Sequence, residues 1–157
     1  MKAEFINPFL AATTNVLGTM AQTKVKALKP RLKDEPVTYG EVTGIIGMAS
    51  DKIEGTMVIS FEKDCILKIV GNMLYEPPKT EIDDEIVDAV GELTNMICGG
   101  AKAELAKLNQ KFDLATPTMV VGTGIAITVF SDAPTLIIPF VTDSGKFVIE
   151  ANLMEKQ

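Results

Sequence analysis

The chain has 157 residues, with 15 basic and 21 acidic side chains, so its formal net charge is 15 − 21 = −6. It contains no His and no Trp, and 46% of its residues are hydrophobic. This balance argues against a polyanion-binding surface, which needs Lys and Arg to neutralise phosphates. The lack of imidazole excludes the common zinc centres, the Ser-His-Asp triad and a His phosphoacceptor.

The apolar content is too high for a disordered segment, and residues 1–157 have the size of one domain. A chain this long removes roughly 68–70% of its unfolded surface from water and needs no staple. Cys65 and Cys98, the only cysteines, have no metal or redox spacing and are expected as small buried thiols. The start Met1-Lys2-Ala3-Glu4 carries an early acid and does not read as a signal peptide. No apolar run approaches the ~18 residues of a membrane span. The expected location is cytoplasmic, with no membrane or nucleic-acid partner.

In chain order, Asn7-Pro8 is expected to open a helix, Asn7 as its cap and Pro8 at the first helical position. Phe9, Ala12, Val16, Leu17 and Met20 then recur at helical spacing, fading near Thr23. Residues 24–31 mix apolar side chains with lysines and contain Pro30, which suits an edge or a strand end. Residues 37–49 and 53–61 are predicted strands joined by a turn at Ser50-Asp51-Lys52. Residues 62–74 return to helix, broken by Glu76-Pro77-Pro78. The longest helix is predicted from Asp83 to about Lys111. Strands follow at 118–122, 125–130, 136–141 and 147–153, with Thr142 to Lys146 as a hairpin connection. Pro134 and Pro139 point to edges or bulges. Hairpin-connected strands with segregated helices imply an α+β fold. The first helix and the long helix share a faint sequence echo, at Ala12 to Leu17 and Glu92 to Ile97, compatible with a duplicated helix-plus-strands unit.

The long helix divides into two faces. Taking Asp88 as zero and about 100° per residue, Glu92 falls at about +40°, Asn95 at about −20° and Gly99 at about +20°. Ile86, Val90, Leu93, Ile97 and Leu108 fall near the opposite pole and form a stripe that can be buried. An ordinary polar strip of this kind is a solvated face. Here it holds Asn95 in mid-helix, where a competing amide disfavours helix, and Gly99, whose absent side chain leaves room for another surface. Gly100 lies nearer the buried side and suits close packing. The combination describes a docking helix with an acid and an amide at its centre.

Asp88-x3-Glu92-x2-Asn95, followed after twenty-one residues by Pro117, closely resembles the signature of the CheC/CheX/FliY family of chemotaxis phosphatases. The run from Val90 to Lys102 is similar to that family's active helix, and Phe5-Ile6-Asn7-Pro8-Phe9 resembles the start of CheX-type members. The resemblance extends over essentially the whole chain. CheC-type members have a Glu/Asn pair in each half. Here Asn15 is preceded three positions earlier by Ala12, so the first acid is missing, which points to the single-site CheX branch and leaves Asn15 as a structural remnant.

The resemblance implies a largely antiparallel sheet packed against two long helices. It also implies hydrolysis of the aspartyl phosphate of a phosphorylated CheY-type response regulator. The regulator would supply the phosphorylated Asp, the Mg²⁺ and a Lys, and this chain would need no cofactor or metal of its own. By the same resemblance Asn95 orients the attacking water and Glu92 pairs with the regulator's lysine. Asp88 is a peripheral partner contact or a first-turn charge, Gly99 lies in the partner-binding strip, and Pro117 fixes the exit into the next strand. A homodimer joined through a sheet edge is implied as well. The competing reading is a non-catalytic adaptor that docks a regulator through the same helix; a water-orienting amide favours catalysis. A small-molecule sensor finds little support, because Gly122-Thr123-Gly124 lacks the strand–GxGxxG–helix context of a dinucleotide site.

Overall fold

The computed structural model describes residues 3–129 and 131–156. The elements run α1 (Ala3–Ala21), β1 (Lys26–Ala27), β2 (Arg31–Leu32), β3 (Val42–Ala49), β4 (Ile53–Phe61), α2 (Lys63–Leu74), α3 (Asp84–Ala106), β5 (Asp113–Leu114), β6 (Thr118–Val121), β7 (Leu136–Thr142) and β8 (Gly145–Glu155). All strand pairs are antiparallel, in the order β1-β7-β8-β4-β3-β5, with β2 also on the β7 edge and β6 also on the β3 edge. This is the expected α+β class, with α2 packing beside the two long helices.

Strand alternation sorts the sheet's two faces. Met57, Ile59, Phe61, Phe147, Ile149, Ala151, Ile138 and Phe140 point into one core with the helices' Phe9, Leu17, Ile66, Val70, Ile86, Val90, Leu93 and Ile97. At one end of that face Phe61, Phe147 and Phe140 lie in register on three adjacent strands. Their rings stack with centroids 4.9 and 4.8 Å apart, each pair adding about 0.5–1.5 kcal/mol beyond burial. Cys65 and Cys98 are buried free thiols in this core, as expected, and burial pushes both up to about 12.

The α1 helix begins a turn earlier than Asn7-Pro8 suggested, at Ala3. Ile6 is buried and Phe5 packs against the core, so the apolar stripe extends back past the proline and carries the helix with it. Pro8 therefore stands inside the helix. Its missing N–H affects only a bond back to Glu4, in the first turn. Strand β3 begins at Val42 rather than at Val37. Val37 makes a lone bridge to Ala126, and the chain then bends through Gly40, where a Cβ would lie 2.1 Å from the Phe61 carbonyl oxygen. The predicted strand at 125–130 reduces to that same bridge, and its last residue, Phe130, lies outside the described residues. The short β5 was not foreseen.

Residues 24–31 do form a sheet edge, broken in two. Lys26 faces Val141 and Arg31 faces Ile137, so five steps on one chain span four on the other, which makes a bulge. The break falls opposite Pro139, whose carbonyl accepts from Leu28 N at 2.8 Å but which has no N–H to return. Helix α3 ends at Ala106, five residues short of the expected Lys111. Asn109 takes a left-handed φ of 61°, and Phe112, 1% exposed, carries the chain back into the core. Leu108 is consequently outside the helix and 48% exposed, not part of the buried stripe.

Helix α3 crosses β3 at Gly44. A Cβ there would lie 2.4 Å from Thr94 Oγ1, and Thr94 is fully buried, its hydroxyl donating to Val90 O at 2.7 Å. A short, anchored side chain cannot yield, so the helix itself must move if Gly44 gains a methyl. Gly44→Ala is expected to lower stability by about 1–3 kcal/mol, as overpacking does, read from the denaturant midpoint.

Candidate active site

Helix α3 starts cleanly. Asp83 is its N-cap, extended in backbone, and its carboxylate accepts from Ile86 N at 3.0 Å. Asp84 and Glu85 occupy the first turn, where the helix dipole favours acids. Lys79 bridges Asp83 and Glu85, and its ammonium holds the Asp83 carboxyl below the usual carboxylate range.

From this start the residue types fall on two sides. Ile86, Val90, Leu93, Ile97, Cys98, Ala101 and Leu105 are fully buried against the sheet and the other helices. Asp88, Glu92 and Asn95 are exposed, and three- and four-residue spacing puts neighbouring Cβ atoms about 5–6 Å apart on one strip. Thr94, locked against Gly44, immediately precedes Asn95. The contact that seats the helix therefore lies one residue from the amide, about 100° round the helix on its buried side.

The two glycines differ as their places on the wheel suggested. A Cβ at Gly99 would meet nothing within 4 Å, so the strip has open space one turn beyond Asn95. A Cβ at Gly100 would lie 3.2 Å from the Ala12 methyl, so Gly100 lets α1 pack closely across α3. That crossing also bears on the first helix. Asn15 is exposed, but Ala12 is 8% exposed beneath α3. Helix α1 thus presents an amide without an adjacent acid. Pro117 stands immediately before β6 and is half-buried. Gly122-Thr123-Gly124 forms the bend after β6, with no helix following among the described residues.

Among the described residues no group of three or more Cys, Asp or Glu side chains is gathered to hold a metal ion, and no helix is long and apolar enough to cross a membrane. What the strip offers is two carboxylates, Asp88 and Glu92, and one carboxamide, Asn95, projecting from a helix whose opposite side is fixed. A carboxylate can pair with a cation. The amide has both donor and acceptor groups and can hold a water in a set direction. The Gly44–Thr94 contact had no sequence signal, because it joins positions fifty residues apart (94 − 44) on separate elements.

Comparison with known proteins shows the family to which the chain belongs. A family model described as chemotaxis phosphatase CheX matches residues 42–141, which include the whole polar strip. The crystal structure of a CheC-like superfamily protein from Shewanella sp. PV-4 is 43% identical, with a TM-score of 0.91 over 98% of this chain and 99% of that one. The CheY-P phosphatase CheX of Thermotoga maritima is 26% identical over 130 residues, 83% of each chain. A CheX-CheY-BeF3-Mg²⁺ complex from Borrelia burgdorferi contains a chain 26% identical, with a TM-score of 0.78 over 99% of this chain and 100% of that one. The chain belongs to the CheX family of chemotaxis phosphatases.

Proposed function

We propose that this protein hydrolyses the aspartyl phosphate of a CheY-type response regulator in the cytoplasm, with Asn95 orienting the attacking water and Glu92 pairing with the regulator's active-site lysine. The observation that carries the proposal is the exposed Glu92/Asn95 pair on a helix seated against the sheet, with open space at Gly99. The Thermotoga relative is named a CheY-P phosphatase, and the Borrelia relative is held in a complex with CheY, BeF3 and Mg²⁺.

Phosphoryl transfer asks chiefly for in-line positioning and charge stabilisation. The water oxygen forms a bond to phosphorus while the bond from phosphorus to the aspartyl oxygen breaks, giving inorganic phosphate and a free carboxylate. The Asn95 carbonyl oxygen accepts from the water and fixes its direction; the amide does not titrate and takes no proton. Mg²⁺ in the regulator's own site offsets charge on the phosphoryl oxygens. Glu92 holds the regulator's lysine, Asp88 adds a peripheral charge contact, and Gly99 lets the regulator's surface come close. This division of parts explains how a chain without His can serve as a phosphatase: the electrophile and the metal arrive with the substrate.

Asn95→Ala is expected to slow phosphate release from a phosphorylated regulator by about 100-fold while leaving binding nearly unchanged. Glu92→Ala is expected to weaken the complex by about tenfold, an effect that shrinks as salt is raised. Wild-type hydrolysis by the Asn95→Ala chain would overturn the assignment. Gly99→Leu adds bulk where the chain itself has open space, so the fold should survive with its melting temperature kept or raised, while surface plasmon resonance shows regulator binding lost.

The protein also pairs with a second copy through a sheet edge. The β1–β2 edge, with Leu28 40% and Leu32 64% exposed beside it, supports this. Light scattering on the eluting peak should give twice the chain's mass, and the mass of one chain overturns the pairing.

A further inference from the structure

Paired residues on adjacent strands form rows that cross the sheet. One row runs Val121, Val42, Phe61, Phe147, Phe140, over β6, β3, β4, β8 and β7. Residues paired across antiparallel strands point to the same face. Four members of this row lie in the core beneath the helices, none more than 1% exposed. Val121, the remaining one, is 50% exposed. The row of stacked phenylalanines thus comes out into solvent at β6, on the sheet edge away from β1 and β2. In the next row Met119 pairs with Gly44, and it is half-buried.

These two residues border the polar strip of α3. Thr94 lies over Gly44, and the chain leaves α3 for β5, which pairs with Met48 and Ala49. The helix therefore runs over β3 from the Val42 end towards the Ala49 end. The Val121 row lies towards its N-terminal half, which carries Asp88 and Glu92. Met119 Sδ is 3.7 Å from where a Gly91 Cβ would be. On the helix wheel Gly91 stands at about −60° from Asp88, and Gly100, packed on Ala12, at about +120°. Helix α1 thus closes one flank of the strip, and β6 forms the other.

A single exposed valine is an ordinary surface residue, and edge strands are commonly blunted with charge. Strand β6 instead places apolar carbon at the margin of the strip, continuous with the face on which a regulator would dock. We infer that Met119 and Val121 are specificity-determining contacts of the docked regulator, seated on an apolar side chain of its receiver domain beside the phosphorylated aspartate. This rests on the phosphatase reading and adds selection to it. Glu92 and Asn95 address the reacting groups, whereas the β6 shoulder touches surface that differs between regulators.

The test uses the host's CheY-type receiver domains. Affinity is measured by titration calorimetry on each receiver loaded with BeF3 and Mg²⁺, and phosphate release on the phosphorylated forms. Val121→Thr keeps the side chain's shape and its preference for strand. It is expected to weaken the best-bound receiver about fivefold and to raise KM by about the same factor, with kcat unchanged. The loss should persist at high salt, unlike that of Glu92→Ala, and should differ between receivers. Val121→Ile should restore wild-type affinity. Met119→Gln should act like Val121→Thr; if it fails to fold, the Val121 variants decide. Unchanged affinity and KM in the Val121→Thr chain overturn the β6 assignment and leave the phosphatase reading standing. So does an equal loss with every receiver. If Asn95→Ala hydrolyses at the wild-type rate while Val121→Thr still loses affinity, the catalytic reading falls and the β6 contact stands. A wild-type chain that binds no receiver overturns both. A fall from two chains' mass to one in Val121→Thr, with receiver affinity kept, gives the row to a second copy and overturns the β6 assignment.

Discussion

The close approach of α3 to β3 at Gly44 is the constraint on which the rest of the structure depends. Thr94 sits where a side chain at Gly44 would be, and Ile86, Val90, Leu93 and Ile97 are fully buried on the same side. Burying four such side chains is worth roughly 1.5–3 kcal/mol each as an upper bound. That energy fixes the rotation of the helix about its own axis. With the rotation fixed, Asp88, Glu92, Asn95 and Gly99 have no choice but to face outward. The outward strip thus owes its direction to atoms on the side it does not share.

This arrangement suits a chemistry of positioning. A water-directing amide contributes little unless its direction is held, because a misplacement of about 1 Å can cost two orders of magnitude in rate. A loop would present the same two side chains with far more freedom. Here they stand on a helix of 23 residues, capped by Asp83 and crossed by α1 through the gap at Gly100. The acids of its first turn and strip give the face a negative character, which the proposed pairing of Glu92 with a regulator's lysine uses.

The sheet gives each of its surfaces a different task. One face carries the stacked phenylalanines and the helices. The other holds the ion pair of Lys33 and Glu150. A buried ion pair of this kind is weak evidence for stability, since desolvation offsets much of the attraction; its clearer effect is to hold one carboxylate oxygen of Glu150 in place. The β7 edge is interrupted opposite Pro139, where the ladder cannot close, which keeps that edge short.

The sequence by itself determined what depends on neighbours along the chain. Helical periodicity in residues 84–106 separated the buried stripe from the polar strip. The Ser50-Asp51-Lys52 turn, the breaker at Pro77-Pro78 and the strand 53–61 were legible from local chemistry, and the spacing of Asp88, Glu92 and Asn95 carried the family resemblance. Only the tertiary structure decided what depends on distant packing. It started α1 at Ala3 through the burial of Ile6, ended α3 at Ala106 through the return of Phe112, and reduced residues 125–129 to a single bridge. It also brought Gly44 under Thr94, and Lys33 onto Glu150. Periodicity records which side of an element is apolar; it holds no information about which residue from elsewhere will lie against that side, and long-range contact is what sets element ends and assembles sites from separate segments.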